Sequence, residues 1–139
     1  MAGTRSNPVY VSQLPSLVRT GVALDDAALA DRLVAGVQLA TPIAEHALIA
    51  CRAQLTEAAG DHAVAAKLYA EAADRWQRFG DVPERAYALL GQGRTLLAAG
   101  NGDAQEPLTE ARELFTSMGY RRALADIEAL AEQAAAAPL

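Results

Sequence analysis

The sequence is poor in residue types that mark several common classes of function. Cys51 is the only cysteine, which excludes an internal disulfide and a cysteine-based metal cluster. Lys67 is the only lysine, and the net charge of −5 disfavours nucleic-acid binding, which needs clustered positive charge. No apolar run reaches the roughly 18 residues of a membrane span. These scarcities favour a cytoplasmic protein without nucleic-acid or membrane partners.

Catalytic and cofactor motifs are also scarce. Segment 91–94 (GQGR) lacks the spacing of a phosphate-binding loop and instead predicts a close crossing of two helices. His46 and His62, the only histidines, lack metal-ligand spacing, and Cys51 is predicted to be a buried structural thiol. The sequence therefore predicts no catalytic residue, no metal site and no cofactor, and the chain is not expected to be an enzyme.

Aromatic residues make up only 5% of the chain, whereas hydrophobic residues reach 52%, and much of that share is alanine. Alanine has the highest helix propensity and lets helices pack closely. The composition therefore predicts an all-α fold with small residues at the helix contacts.

Two stretches of the chain repeat each other. The first contains Ala65, Tyr69, Ala72, Trp76, Phe79 and Gly80, and the second contains Ala104, Leu108, Ala111, Phe115, Met118 and Gly119. Each residue of the second set lies 39 positions after its counterpart, at helical spacing. A repeat of this length is typical of stacked helix hairpins. The spacing predicts that Trp76, Phe79 and Phe115 pack in the core and do not form a ligand cage.

Stop and start signals divide the chain into seven helices. Glycines predict helix ends at 36, 60, 80, 100 and 119. Predicted N-caps are Thr41, Asp61, Asp81 and Asp103. The resulting spans are 9–22, 26–36, 42–59, 62–79, 83–99, 104–118 and 121–136. We expect a disordered tail over 1–7 and one domain over 8–137, with hairpins at 9–36, 42–79 and 83–118 and a capping helix at 121–136.

The pattern resembles the tetratricopeptide repeat family. The matching residues are Gly60, Asp61, Ala65, Tyr69 and Ala72, and in the next unit Gly93, Leu96, Gly100, Ala104, Leu108 and Ala111. The family repeat is about 34 residues long, so these units are longer, and they lack the family's first-helix aromatic and closing proline. The resemblance implies a right-handed α-solenoid of antiparallel hairpins.

Residues 60–118 are also similar to the C-terminal repeat regions of large bacterial regulators that carry a nucleotide-cyclase or DNA-binding domain. No cyclase, phosphate-loop or DNA-reading motif occurs in this chain. The resemblance implies a scaffold module of a regulatory protein that binds another protein, a peptide or a linked domain.

The same family pattern places the first helix of each hairpin on a concave face. By position, Gln54, Glu57, Tyr87 and Arg94 are the predicted partner-binding residues, and Arg94 is suited to clamp an acidic segment with two parallel hydrogen bonds. Two alternatives stay open. The groove could hold a small-molecule effector, or an uncovered apolar edge could make the module self-associate as a homo-oligomer.

Overall fold

Within the part of the chain that the structure describes, seven α-helices make up the fold. The computed structural model describes residues 8–35, 42–100 and 103–136, and these residues contain no strand. The helices are α1 (Pro8–Ala23), α2 (Ala27–Val34), α3 (Pro42–Ala58), α4 (His62–Phe79), α5 (Val82–Ala98), α6 (Gln105–Met118) and α7 (Arg121–Ala136). The predicted all-α class is confirmed, and the bounds agree to within two residues. The expected tail at 1–7 lies outside the described residues.

The last residue of each repeat closes a helix. Gly80 and Gly119 end α4 and α6 with φ of 93° and 72°, in the left-handed region where a side chain is strained. Both were predicted as helix stops. The helix α2 ends at Val34, earlier than predicted, and Gly36 lies outside the described residues.

The helix starts differ between the two repeats. Asp61 and Asp81 each accept a hydrogen bond from the backbone N–H three residues on, as predicted for N-caps. The prediction for Asp103 is wrong, because the N-cap of α6 is Ala104, which has no side chain to accept such a bond. The predicted cap at Thr41 lies outside the described residues.

Consecutive helices pack on each other, and a second set of contacts skips one helix. The helix α1 also packs on α3, α3 on α5, and α5 on α7. The main core runs through α3 to α7 and consists largely of alanines around Trp76, Phe115 and Ile127. A smaller cluster around Leu14 and Cys51 joins α1 and α2 to α3. The predicted enrichment of small residues at helix contacts is therefore observed.

The repeated positions are equivalent in the fold, with one exception. The first four positions of both repeats, from Ala65 to Trp76 and from Ala104 to Phe115, are at most 4% exposed. Trp76 is 1% exposed, which confirms the predicted burial of its ring. The prediction for Phe79 is wrong: its side chain, on the last residue of α4, is 49% exposed, although its ring meets those of His46 and Trp76 edge-on.

The helix α5 fits between α4 and α6 through two glycines. A Cβ at Gly91 would overlap the ring of Tyr69 on α4, and a Cβ at Gly93 would overlap the side chain of Leu108 on α6. Tyr69 and Leu108 are counterparts in the repeat. The side chain at the same repeat position of α4 and of α6 thus packs against one of the two glycines. This arrangement confirms the close helix crossing predicted for this segment.

Candidate binding groove

The four residues predicted to bind a partner lie together in one groove. Gln54, Glu57, Tyr87 and Arg94 all line a cavity of about 540 Å³ that also borders α1 and reaches α7. Its walls include apolar side chains such as Leu90. Cavities of roughly 300–1,000 Å³ with a few convergent polar groups are typical of ligand sites. The groove is therefore the candidate functional site.

Arg94 forms a two-point ion pair with Glu57 at the centre of the groove. Its Nε donates to Glu57 Oε2 at 2.5 Å, and its Nη2 donates to Oε1 at 2.8 Å. The Tyr69 hydroxyl donates to the same Oε1 at 2.7 Å. Such paired, charge-assisted hydrogen bonds fix the guanidinium in one orientation. The two parallel hydrogen bonds that the sequence assigned to a partner's acid are thus made to Glu57 of α3.

The three groups keep one protonation state at neutral pH. Burial by itself raises the pKa of Glu57, but the hydrogen bonds and charge of Arg94, helped by Tyr69, hold it below its ordinary value. Burial and the Glu57 carboxylate raise the pKa of Tyr69. Burial lowers the pKa of Arg94, and Glu57 outweighs this and raises it. The cluster is a fixed array of hydrogen bonds, without a group that exchanges a proton near pH 7.

A second two-point ion pair borders the same groove. Arg19 of α1 donates to both carboxylate oxygens of Glu84 at the start of α5, at 3.2 and 2.8 Å. The guanidinium carbon lies 4.0 Å from the centre of the Tyr87 ring, a cation–π contact. Tyr87 also meets Phe115 edge-on, with ring centres 5.0 Å apart. Its ring thus contacts both a charge and a core ring.

Gln54 connects two helices instead of facing solvent. It is 6% exposed, and its Nε2 donates to the carbonyl oxygen of Pro15 at 3.2 Å. Pro15 lies inside α1, where it has no N–H to give to the helix. The Gln54 amide therefore ties α1 to α3, and this is its main contact at the edge of the groove.

Several groove residues were not predicted from the sequence. Arg19, Glu84, His62, Tyr69 and Asp126 also line the cavity. Arg19 and Glu84 are 65 positions apart, and no local pattern links them. The spacing of Tyr69 predicted a core residue, which is right for its ring but not for its hydroxyl. Among the residues that were missed, only Tyr69 could have been recognised from the sequence, because a buried tyrosine hydroxyl usually needs a hydrogen-bond partner.

No family model, curated protein or solved structure matches this chain. Within the described residues, no helix is long and apolar enough to cross a membrane, and no group of three His, Cys, Asp or Glu side chains is placed to hold a metal ion. Cys51 is fully buried, and burial raises the pKa of its thiol, so it packs as a protonated side chain.

Proposed function

We propose that this chain is a non-enzymatic interaction module that binds an extended segment of a partner protein in the groove. The observation that carries the proposal is the pair of two-point ion pairs, Arg94 with Glu57 and Arg19 with Glu84, that hold the polar groups of the groove in place. Groups that are ordered before binding lose little entropy when a ligand arrives. An extended segment supplies regularly spaced carbonyl oxygens for the remaining arginine N–H groups.

The packing of the helices supports a tetratricopeptide-like solenoid. The contacts of α1 with α3, α3 with α5 and α5 with α7 are those of stacked hairpins whose first helices share one face. Gly80 and Asp81 alone join α4 to α5, and so short a connection favours antiparallel neighbours. In this proposal the groove is the concave face of a right-handed solenoid, within a bacterial cytoplasmic regulator that the sequence resembles.

Peptide selection followed by a blocking substitution tests the proposal. A random dodecapeptide phage library is panned on the immobilised chain, and binding of the selected peptides is measured by fluorescence anisotropy. Ala58→Trp places a large ring at an exposed position that lines the groove. Ala129→Trp places the same ring at an exposed position of α7 outside the groove lining. We expect Ala58→Trp to weaken binding at least about tenfold and Ala129→Trp to leave it unchanged.

If the selected peptides bind Ala58→Trp and Ala129→Trp equally well, the peptide site lies outside the groove. If panning selects no peptide, the protein-segment proposal fails. Circular dichroism and thermal unfolding of both variants show whether the fold is retained, so that a loss of binding reflects blocking of the groove.

A small-molecule effector is the second candidate, and the dimensions of the groove favour it. A cavity of about 540 Å³ with convergent tyrosine, arginine and glutamate side chains suits a polar ligand of drug size. A thermal-shift screen with a collection of nucleotides, amino acids and sugars distinguishes the two candidates. A true effector raises the Tm of the wild-type chain and of Ala129→Trp, but not of Ala58→Trp.

A further inference from the structure

We infer that the groove selects a partner segment carrying a basic side chain, and that Asp126 at the α7 end of the groove binds that side chain. This inference rests on the proposed function. It reverses the preference for an acidic segment that the isolated sequence predicted for Arg94.

The two groove arginines are already neutralised. The shortest nitrogen–oxygen distances are 2.5 Å for Arg94 with Glu57 and 2.8 Å for Arg19 with Glu84. The carboxylate side chains lie beneath the arginines and are only 18% and 13% exposed. A carboxylate of a partner would gain attraction from each guanidinium but meet repulsion from the glutamate behind it. The ion pairs therefore remove most of the electrostatic attraction that the arginines would offer to an acidic ligand.

Asp126 is the unbalanced charge of the groove. It is exposed on α7, lines the cavity, and has no ion pair with any described residue. The charged side chains at the groove are Arg19 and Arg94 against Glu57, Glu84 and Asp126, which leaves one negative charge when His62 is neutral. The net charge of −5 on the whole chain adds long-range attraction for a cation. The charge distribution thus complements one basic side chain.

The remaining polar groups suit an uncharged peptide backbone. Arg94 uses Nε and Nη2 on its internal partners, and its Nη1 has no hydrogen bond to a described residue. A guanidinium paired with a carboxylate still donates its other N–H groups to neutral acceptors such as carbonyl oxygens. Val22 and Leu90 add apolar wall to the groove. The fitting occupant is an extended segment with apolar residues and one lysine or arginine.

Peptides selected on the wild-type chain test this inference. In the tightest peptide, each basic residue is replaced in turn by glutamine and by glutamate, and all versions are titrated against the wild type, Asp126→Asn and Glu132→Gln. Glu132 is an exposed acid on the same helix outside the groove lining, so its substitution is a matched control for net charge.

We expect one basic position whose change to glutamine weakens binding to the wild type about two- to fivefold, the usual range for an exposed ion pair. Glutamate at that position should weaken binding further. Asp126→Asn should bind the basic and glutamine peptides equally, whereas Glu132→Gln should keep the wild-type discrimination. Raising the salt concentration from about 0.02 M to about 0.5 M should shrink the discrimination, because exposed charges are screened.

Failure of the inference differs from failure of the proposed function. Selected peptides that are acidic or uncharged, or a preference for lysine that survives in Asp126→Asn, would overturn the role of Asp126 while Ala58→Trp still blocks binding. Peptides that bind Ala58→Trp as well as they bind the wild type would overturn both.

Discussion

The α3–α4 and α5–α6 helix pairs bury the same repeat positions but put one of them to different use. Tyr69 and Leu108 occupy the same register, and each fits against a glycine of α5. The Tyr69 hydroxyl continues past the core and bonds to Glu57, whereas Leu108 ends in apolar contacts. A single hydroxyl therefore makes a core position of one helix pair a support of the groove, while the other helix pair keeps an entirely apolar core position.

The two helix pairs also differ in what covers the large ring of the second helix. Trp76 meets the ring of His46 edge-on, with centres 5.7 Å apart, and Phe115 meets Tyr87 in the same manner. His46 is an ionisable group, whereas the Tyr87 ring also contacts Arg19 in the groove. The edge-on contact thus involves an ionisable ring in one helix pair and a groove-lining ring in the other.

The strongest test of equivalence is removal of the two buried rings. Trp76→Ala and Phe115→Ala should each lower the free energy of unfolding by about 3–5 kcal/mol, because both side chains are at most 1% exposed and leave cavities. Urea unfolding followed by circular dichroism measures the loss. A loss under about 1 kcal/mol for either ring would contradict its place in the core.

The two glycines of α5 should respond unequally to a methyl group. Gly91→Ala should destabilise by about 1–3 kcal/mol, as overpacked cores do, because the ring of Tyr69 is pinned by its hydroxyl. Gly93→Ala should cost less, since Leu108 can change rotamer. The double variant Gly91→Ala with Tyr69→Leu should recover part of the loss in urea unfolding. Equal costs for both single variants would show that the hydroxyl does not restrain the ring.

The helix starts of the two repeats offer a smaller contrast. Asp61→Ala should cost about 1 kcal/mol, because Asp61 caps α4 through the Val64 N–H. Asp103→Ala should stay within about 0.5 kcal/mol, because the side chain of Asp103 does not cap α6. Thermal unfolding of the two variants side by side measures the difference, and an Asp103→Ala loss as large as that of Asp61→Ala would contradict it.

Removing only the hydroxyl isolates what distinguishes Tyr69 from Leu108. Tyr69→Phe should cost about 0.5–1.5 kcal/mol, mainly through the lost hydrogen bond to Glu57, and should raise the pKa of Glu57 toward its ordinary value. The stability that Glu57 adds is present above its unfolded pKa and is lost as pH falls through its lower folded pKa. In Tyr69→Phe this acid loss should therefore be smaller and be complete at a higher pH than in the wild type. Tyr120→Phe, a more exposed tyrosine, is the control.

The smallest effect concerns His46. Burial, followed by the charge of Arg75, lowers its pKa below 6.5, so the folded state favours the neutral ring. Stability from this group is complete above the unfolded pKa and falls as pH drops through the folded pKa. We expect His46→Phe to flatten the stability profile below about pH 6.5 in urea unfolding. An unchanged profile would show that the charge on His46 does not affect the stability of the fold.

Much of the fold could be predicted because it depends on local periodicity. The 39-residue shift, the stripe from Ala65 to Trp76 and the glycine stops follow from which residues share a helix face and where a helix ends. Phe79 shows the limit of this reasoning. It continues the stripe but is 49% exposed, because burial depends on how completely neighbouring side chains cover a position, and the stripe itself does not contain that information.

The sequence by itself determined the all-α class, the repeat register and the burial of Trp76. Only the tertiary structure decided the chemistry inside the groove. Arg94 and Glu57 are 37 positions apart, and Arg19 and Glu84 are 65 apart. Such pairs depend on the distance between helix axes and on the direction of long side chains across them. Because helix periodicity fixes neither quantity, Arg94 could be singled out from the sequence, but Arg19, the neutralisation of both arginines and the unpaired charge of Asp126 could not.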